Sequence, residues 1–247
     1  MCDNRYVISL VMPNAGSIKP GAVEGLGHAS SRHEVRLCLS QFGNVSHNFN
    51  MAWCGSLNMR HTAGITHFAM LHSDIRIAPG WLDLLIDEMD RVDADVMTTV
   101  MAIKDARGLT TTGIRYPGVW GTRRFTMTEV AEFPETFSIA DVGDPQTEVL
   151  AINTGAWVCR LPQAGWPDAF PGFCDRYKIE WVDGQAVAWF DSEDWLFSDW
   201  AASMGLKVYA TRKPEAYHIG EFEYGNSSVW GSWTTDMQTP PKKPRAA

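Results

Sequence analysis

The tripeptide His72-Ser73-Asp74 follows directly on an apolar run, residues 65–71, that predicts a buried strand. In open α/β sheets, ligands bind in the crevice outside the carboxyl ends of the strands, so this tripeptide falls where a site is expected. A carboxylate there can hold a divalent cation that bridges the two phosphates of a nucleotide sugar and neutralises the leaving diphosphate. The structural alternative is that Asp74 caps the coming turn and His72 packs as a strand residue.

A second group of candidate residues, Glu193 and Asp194, opens a predicted helix over residues 192–204 that Gly205 ends. A carboxylate placed beside a reacting sugar carbon can act as the general base that removes a hydroxyl proton. The structural alternative is helix capping, since acidic residues are favoured in a first helical turn and Ser192 is a suitable N-cap.

The third candidate is His218, which follows the predicted last strand, residues 208–210, on what the sequence predicts to be a loop. A neutral imidazole can complete the coordination shell of a cation that a carboxylate and a diphosphate leave open. A lone histidine on a loop is otherwise a surface residue.

The elements that position these residues alternate between strands and helices. Strands are predicted at residues 6–12, 34–40, 65–71 and 95–101, and helices over 48–61 and from Trp81 to Met89. Residues 21–27 are glycine-rich and are predicted to be a loop, and residues 104–149 to be hairpins and loops. Strand character returns over residues 149–161. This order predicts an α/β fold, a mostly parallel sheet with helices on both faces and a small β and loop region beside it.

The bulk composition limits the class of protein. The 247 residues carry a formal net charge of −8, which argues against broad electrostatic binding to nucleic acid or to an anionic membrane. The five cysteines form no disulfide or zinc pattern, and no run approaches the length of a membrane helix. We therefore expect a cytoplasmic protein with no membrane span.

The motifs, taken in order, resemble the GT-A glycosyltransferases related to the family-two enzymes. Residues 68–75 followed by Pro79-Gly80-Trp81 are similar to that family's apolar strand, Asp-x-Asp motif, proline and helix, and residues 151–156 are similar to its central acceptor-side strand. The likeness runs over residues 6–221 and is specific only at these motifs. It departs from the family pattern at His72, which stands where the family has its first aspartate.

The resemblance implies a GT-A, Rossmann-like fold and a role for each matching residue. Asp74 and His218 are expected to bind manganese or magnesium, and Asp194 to be the catalytic base, with Glu193 as the near alternative. His72 is expected at the nucleoside or as a second nitrogen ligand. The remaining residues expected to bind the nucleotide sugar are Pro13, Asn14, Asn50, Ser73 and Asn153.

The predicted function is metal-dependent transfer of a sugar from a nucleotide-diphosphate sugar to an acceptor hydroxyl, with a UDP-sugar as the expected donor. Direct displacement at the anomeric carbon inverts it, and a retaining course stays open because the sequence does not fix the face from which the acceptor approaches. The substitution at His72 leaves open an inactive module that binds a nucleotide sugar or glycan. A nucleotidyltransferase is a third reading, although residues 13–19 are a poor copy of the glycine-rich loop of that class.

The predicted organisation is one catalytic domain over residues 1–225 and a polar tail over residues 226–247. Within the domain, residues 1–103 form a nucleotide-binding half and residues 104–225 an acceptor-side half. The acceptor stays open between a glycan and other hydroxyl compounds. A modified DNA base is included, because Arg123, Arg124, Lys242 and Lys243 could form a local basic strip.

Overall fold

A computed structural model of the chain describes residues 5–14, 16–41 and 43–236. Within this part, seven strands form one central sheet, in the spatial order β2-β1-β3-β10-β5-β13-β8. Their bounds are β1 (Val7–Asn14), β2 (Glu34–Gln41), β3 (His67–Leu71), β5 (Val96–Thr99), β8 (Thr136–Ser138), β10 (Ala156–Arg160) and β13 (Val208–Thr211).

The sheet is mixed, with most of its strands parallel. β1 pairs in parallel with β2 and β3, and β5 pairs in parallel with β13, while β10 runs antiparallel to both β3 and β5. β8 is antiparallel to β13 at one edge. The prediction of an α/β protein with a mostly parallel central sheet is therefore confirmed, and the architecture is compatible with a Rossmann-like fold.

Helices cover both faces of this sheet, as the sequence predicts. On one face, Phe49 and Trp53 of one helix and Phe197 of another belong to one hydrophobic core. On the opposite face, Leu82 and Leu85 of a third helix belong to a second hydrophobic core. The helices are α1 (Pro20–Gly27), α2 (Val45–Arg60), α3 (Trp81–Val92), α4 (Met127–Glu132), α5 (Ile139–Val142), α6 (Trp166–Ala169) and α7 (Glu193–Ser203). α2 and α7 lie on the first face, and α1 and α3 lie on the second.

The glycine-rich residues 21–27 form helix α1, so their prediction as a loop is wrong. The helix begins at Pro20, a residue favoured in the first turn, and packs closely on strand β4 (Ile75–Ile77). A Cβ atom on Gly25 would lie 2.9 Å from the Cγ2 atom of Ile77. At Gly25, and at Gly21 against Arg76, the absence of a side chain lets the helix approach its neighbours closely.

Three smaller sheets surround the central one. β4 pairs with β14 (Ala216–Ile219), which pairs with β15 (Glu223–Gly225). A second sheet joins β6 (Leu109–Arg115), β7 (Arg123–Thr126) and β9 (Val149–Ala151), and a third is the hairpin of β11 (Arg176–Val182) and β12 (Gln185–Asp191). The prediction that His218 lies on a loop is wrong, because it lies within β14 and pairs with Ile75.

Residues 104–149 hold more regular structure than the predicted hairpins and loops. They include α4, which begins with a capping box between Thr126 and Glu129, as well as α5 and the edge strand β8 of the central sheet. The two helices have six and four residues, which is too short for a helical period to show in the sequence.

The first part of the predicted tail packs against the rest of the chain. Asn226 is buried and donates hydrogen bonds to the carbonyls of Val100 and Pro214, and Asp236 accepts one from the backbone N–H of Arg124. Residues 237–247, which include the predicted basic residues Lys242 and Lys243, lie outside the described residues. Across the part of the chain that the structure describes, no helix is both long and apolar enough to cross a membrane.

Candidate functional site

A polar crevice opens at the carboxyl ends of β1 and β3, where the sequence predicts a site. Its volume is about 350 Å³. Two lysines of different elements line it, which makes it suited to an anion such as a diphosphate. The side chains and backbone that line this crevice belong to Ser17, Lys19, Ser73, Asp74, Lys104, Ile219 and Gly220.

Asp74 is the central anion of the crevice. Its carboxylate accepts a hydrogen bond from the ammonium of Lys104, and the Nε2 atom of His218 lies 3.5 Å from the same oxygen, Oδ2. Burial acts to raise the pKa of Asp74, but the hydrogen bonds with His218 and Lys104 outweigh it and hold this pKa well below its usual range. Asp74 is therefore a carboxylate at neutral pH, the form in which it can bind a cation.

The orientation of His218 fits a cation ligand. Its Nδ1 atom lies 2.9 Å from the carbonyl oxygen of Ala102, which can only accept, so Nδ1 carries a proton. Nε2 is therefore the ring nitrogen that faces Oδ2 of Asp74 and the one available to ligate a cation held there. A metal-bound histidine usually donates its other ring N–H to a carbonyl or carboxylate, as Nδ1 does here to Ala102.

Asp74 and His218 are two side chains that could ligate a cation in the crevice, which is fewer than the ligands of a metal site built from protein alone. Within residues 5–14, 16–41 and 43–236, no group of three or more His, Cys, Asp or Glu side chains is arranged to hold a metal ion. Magnesium and similar ions are commonly held by one or two carboxylates together with substrate phosphates. Asp74 and His218 thus fit a cation that arrives with, or is completed by, a phosphate ligand.

His72 does not line the crevice, although it immediately precedes it. Its ring packs against Phe49 of α2 at a centroid distance of 5.2 Å, and its backbone N–H donates to the carbonyl of Gly155 at 2.7 Å. Burial, with the charges of His218 and Lys104, lowers its pKa to about 4 although Asp74 acts to raise it, so the ring is neutral. The Nε2 atom is buried and has no hydrogen-bond partner among the described residues.

A second polar centre, the acidic cluster, consists of Asp175, Glu193 and Asp194. Asp194 accepts hydrogen bonds through Oδ1 from the hydroxyl and from the backbone N–H of Thr154, the latter at 3.2 Å. Asp175 accepts a hydrogen bond from the backbone N–H of Glu193 at 3.3 Å. Three carboxylates therefore meet where α7 begins.

The environment of the acidic cluster favours protonation. Burial raises the pKa of Glu193 strongly, and the neighbouring Asp194 and Asp175 raise it further. Burial also raises the pKa of Asp194, although the hydrogen bonds from Thr154 and the charge of Arg124 act to lower it. Both carboxyls thus hold a proton more tightly than an ordinary side chain, and Glu193 holds it more tightly than Asp194.

Residues 153–155 connect the crevice to the acidic cluster. Gly155 binds the backbone of His72, while Thr154 binds Asp194. Asn153 is buried and uses both ends of its amide internally, donating to the carbonyl of Thr99 at 2.8 Å and accepting from the N–H of Gly155 at 3.0 Å. These two bonds brace the connecting turn, and the contact of Asn153 with a donor sugar or acceptor stays a prediction.

The other amides predicted to bind the nucleotide sugar are also used internally. Asn14, next to Pro13 at the end of β1, donates to the carbonyl of Ser40 at 3.2 Å and accepts from the N–H of Gly16. Asn50 both donates to and accepts from the backbone of Phe173, at 2.7 Å each. Of the six residues expected to bind the nucleotide sugar, Ser73 lines the crevice with Asp74.

Sequence reasoning missed Lys19 and Lys104, and no spacing in the sequence marks them. It also missed the buried ion pairs beneath α7. Arg115 is fully buried and binds Asp199 with two hydrogen bonds of 2.8 Å and Asp191 with bonds of 3.2 and 3.3 Å. Asp191 also accepts a hydrogen bond from Arg176. These pairs fix the chain two residues before Glu193.

Comparison with known proteins bears on the fold. No protein-family model matches the chain, and no curated protein matches it. The crystal structure of A197 from STIV is similar over 88% of this chain and 86% of its own, with a TM-score of 0.53 and 14% identity. Apo UDP-glucose pyrophosphorylase is similar over 86% of this chain and 76% of its own, with a TM-score of 0.35 and 11% identity. The likeness to A197 is one of fold, and the likeness to the second protein is too loose to support more.

Proposed function

We propose that this chain is a GT-A type glycosyltransferase that moves a sugar from a nucleotide-diphosphate sugar to an acceptor hydroxyl. The observation that carries the proposal is the pair of polar centres joined by residues 153–155. One is a lysine-lined crevice around an ionised Asp74, and the other is a buried group of carboxylates that binds protons tightly. A transferase of this kind needs both an anion site for the donor and a proton acceptor for the acceptor hydroxyl.

The crevice is the proposed site of the donor diphosphate. Asp74 and His218 would hold manganese or magnesium there, and the bound ion would supply charge neutralisation for the leaving diphosphate. Lys19 adds an ammonium to the same crevice, and Ser73 adds a backbone and hydroxyl contact surface. The UDP-sugar expected from the resemblance is the donor class that we propose.

Asp194 is the proposed base and Glu193 the proposed hydrogen-bond donor beside it. Both have raised pKa values, but that of Glu193 is raised more strongly by burial and by the adjacent carboxylates. At neutral pH Glu193 is therefore protonated and can orient an acceptor oxygen, whereas the carboxylate of Asp194 removes the hydroxyl proton. Attack of that oxygen on the anomeric carbon, with departure of the nucleoside diphosphate, inverts the stereocentre.

A nucleotidyltransferase is the second candidate, and the position of Lys19 favours it. Lys19 follows β1 and lies in the crevice beside Ser17, where such an enzyme would bind the phosphates of a nucleoside triphosphate. The two reactions release different products. The glycosyltransferase releases a nucleoside diphosphate, and the nucleotidyltransferase releases pyrophosphate.

The proposal is tested by thermal-shift measurements with a panel of nucleotide sugars, with and without Mn²⁺, on the parent and on Asp74→Ala. We expect a UDP-sugar to raise Tm only with metal, and the shift to disappear in Asp74→Ala. Glu132→Ala, an exposed carboxylate on α4, is the matched control and should respond like the parent. A nucleoside triphosphate as the best ligand, with pyrophosphate release, would favour the second candidate, and binding without turnover would favour an inactive module.

A further inference from the structure

Lys104 occupies the position at Asp74 that a bound cation would take. Its ammonium contacts Oδ2 of Asp74, the same oxygen that faces Nε2 of His218 at 3.5 Å. A divalent ion bound between Asp74 and His218 would therefore be in direct electrostatic conflict with this ammonium, because two cations would share one carboxylate oxygen.

The fold holds Lys104 in place from two sides. It lies two residues after Ala102, whose carbonyl binds His218, so the side chains of Lys104 and His218 reach Asp74 from linked positions. Its aliphatic stem lies against the backbone of Gly220, where an added Cβ atom would lie 3.2 Å from the Cδ atom of Lys104. The contact with Asp74 is thus part of a packed arrangement at the edge of the crevice.

The ammonium of Lys104 is nevertheless open to the crevice on one side. The side chain of Lys104 is 36% exposed, and that of Asp74 is 29% exposed. Lys104 also lines the crevice that Lys19 and Ser73 line. A rotation about its side-chain bonds can take the ammonium from Asp74 to an anion in the crevice without a change of the backbone.

We propose that the ammonium of Lys104 occupies the metal position in the absence of donor. It moves from there to the donor phosphates when the donor and the metal ion bind. This inference rests on the proposed function. Its consequence is that metal alone binds weakly, because it must displace an ammonium. Metal binds tightly with a nucleoside diphosphate, because the diphosphate gives that ammonium a new partner. The coupling is reciprocal, so metal strengthens diphosphate binding by the same factor.

The test measures Mn²⁺ binding by the loss of the free-ion EPR signal, with and without UDP, in the parent, Lys104→Met and Lys207→Met. Lys207 pairs with Asp93 at the surface and is the matched lysine control. We expect Lys104→Met to bind Mn²⁺ alone at least about ten-fold more tightly than the parent, since a repelling charge within a few Å is removed. We expect the same variant to bind UDP with Mn²⁺ more weakly, and Lys207→Met to match the parent.

Three results would overturn the inference. Unchanged Mn²⁺ affinity in Lys104→Met, with UDP·Mn²⁺ binding that still depends on Asp74, removes the role of Lys104 and leaves the donor site standing. UDP binding that is independent of Mn²⁺ but lost in Lys104→Met makes the lysine the resident cation and removes the exchange. If the parent binds neither UDP nor Mn²⁺ with any dependence on Asp74, the proposed donor site itself fails, and the inference fails with it.

Discussion

The crevice and the acidic cluster are both built around half-buried carboxylates, yet the pKa shifts of these carboxylates are opposite. Asp74 is surrounded by Lys104 and His218, and its pKa is held well below the usual range. Glu193 and Asp194 are surrounded by one another and by Asp175, and their pKa values are raised. The difference arises from the neighbours, because burial alone raises the pKa of a carboxyl in either place.

The proposed function rests on this difference. A carboxylate that stays ionised among cations is suited to bind a metal ion, while a carboxyl that holds its proton tightly is suited to acid and base chemistry. The connecting residue Thr154 contacts Asp194 and adjoins Gly155, which contacts His72. The two centres are therefore held in a fixed relation at one end of the sheet.

The largest effect is expected where the proton acceptor is removed. Asp194→Asn should lower kcat for sugar transfer by about 10²–10⁴-fold, the range for loss of a general base, while Thr154 can still donate to the new amide oxygen. The UDP·Mn²⁺ thermal shift should be unchanged, because the crevice is intact. Initial-rate kinetics with a donor identified by the thermal-shift panel checks this, and loss of donor binding in this variant would show that the two centres are not separable.

The next effect concerns the ion pairs that support the acidic cluster. Arg115→Met should lower the free energy of unfolding by about 3–5 kcal/mol, because it leaves the buried Asp191 and its neighbour Asp199 short of a positive partner. Denaturant unfolding measures this, and Arg36→Met is the control. Arg36 forms an exposed pair with Glu34, for which a change of about 0–1 kcal/mol is expected. Equal losses in the two variants would contradict a supporting role for Arg115.

The third prediction concerns the pH dependence of stability, which should reflect the raised pKa of Glu193 in the acidic cluster. The raised pKa of Glu193 means that the folded state binds a proton more tightly than the unfolded state does, so this residue lowers stability as pH rises above its ordinary pKa of 4.5. Glu193→Gln removes that cost, so its stability relative to the parent should rise with pH between pH 5 and pH 8, by at most about 1.4 kcal/mol per pH unit for one proton. Thermal unfolding across this range checks it, and a difference that is constant with pH would be inconsistent with a raised pKa.

The sequence predicts the local elements of the site better than their partners. β2, the start of α7 at Glu193 and the helix end before Gly205 follow from alternation, capping and helix-stop patterns that are local. The crevice at Asp74 follows from the rule on strand ends. Lys104, by contrast, reaches Asp74 across 30 residues, and Arg115 reaches Asp199 across 84, and nothing in the neighbouring residues records such contacts.

The amides show the same limit. Asn14 and Asn153 lie near strand ends and Asn50 lies on α2, and the resemblance to the GT-A glycosyltransferases predicts that each faces a ligand. Whether an amide faces a ligand or backbone depends on distant groups, such as the peptide of Phe173 that takes both ends of Asn50. Position in the sequence gives the neighbourhood of a side chain, but not the partners of its hydrogen bonds.

The place of β10 has a consequence for how the protein is made. β3 and β5 are synthesised early, but the edges that they turn towards each other stay unpaired until β10 is inserted between them, and the other edge of β5 stays unpaired until β13 is made. At the usual 5–20 residues per second, the 57 residues from Thr99 to Ala156 take roughly 3–12 s to translate. The nascent chain thus exposes two apolar strand edges to solvent for seconds, and the centre of its sheet closes only after about two thirds of the protein has been translated.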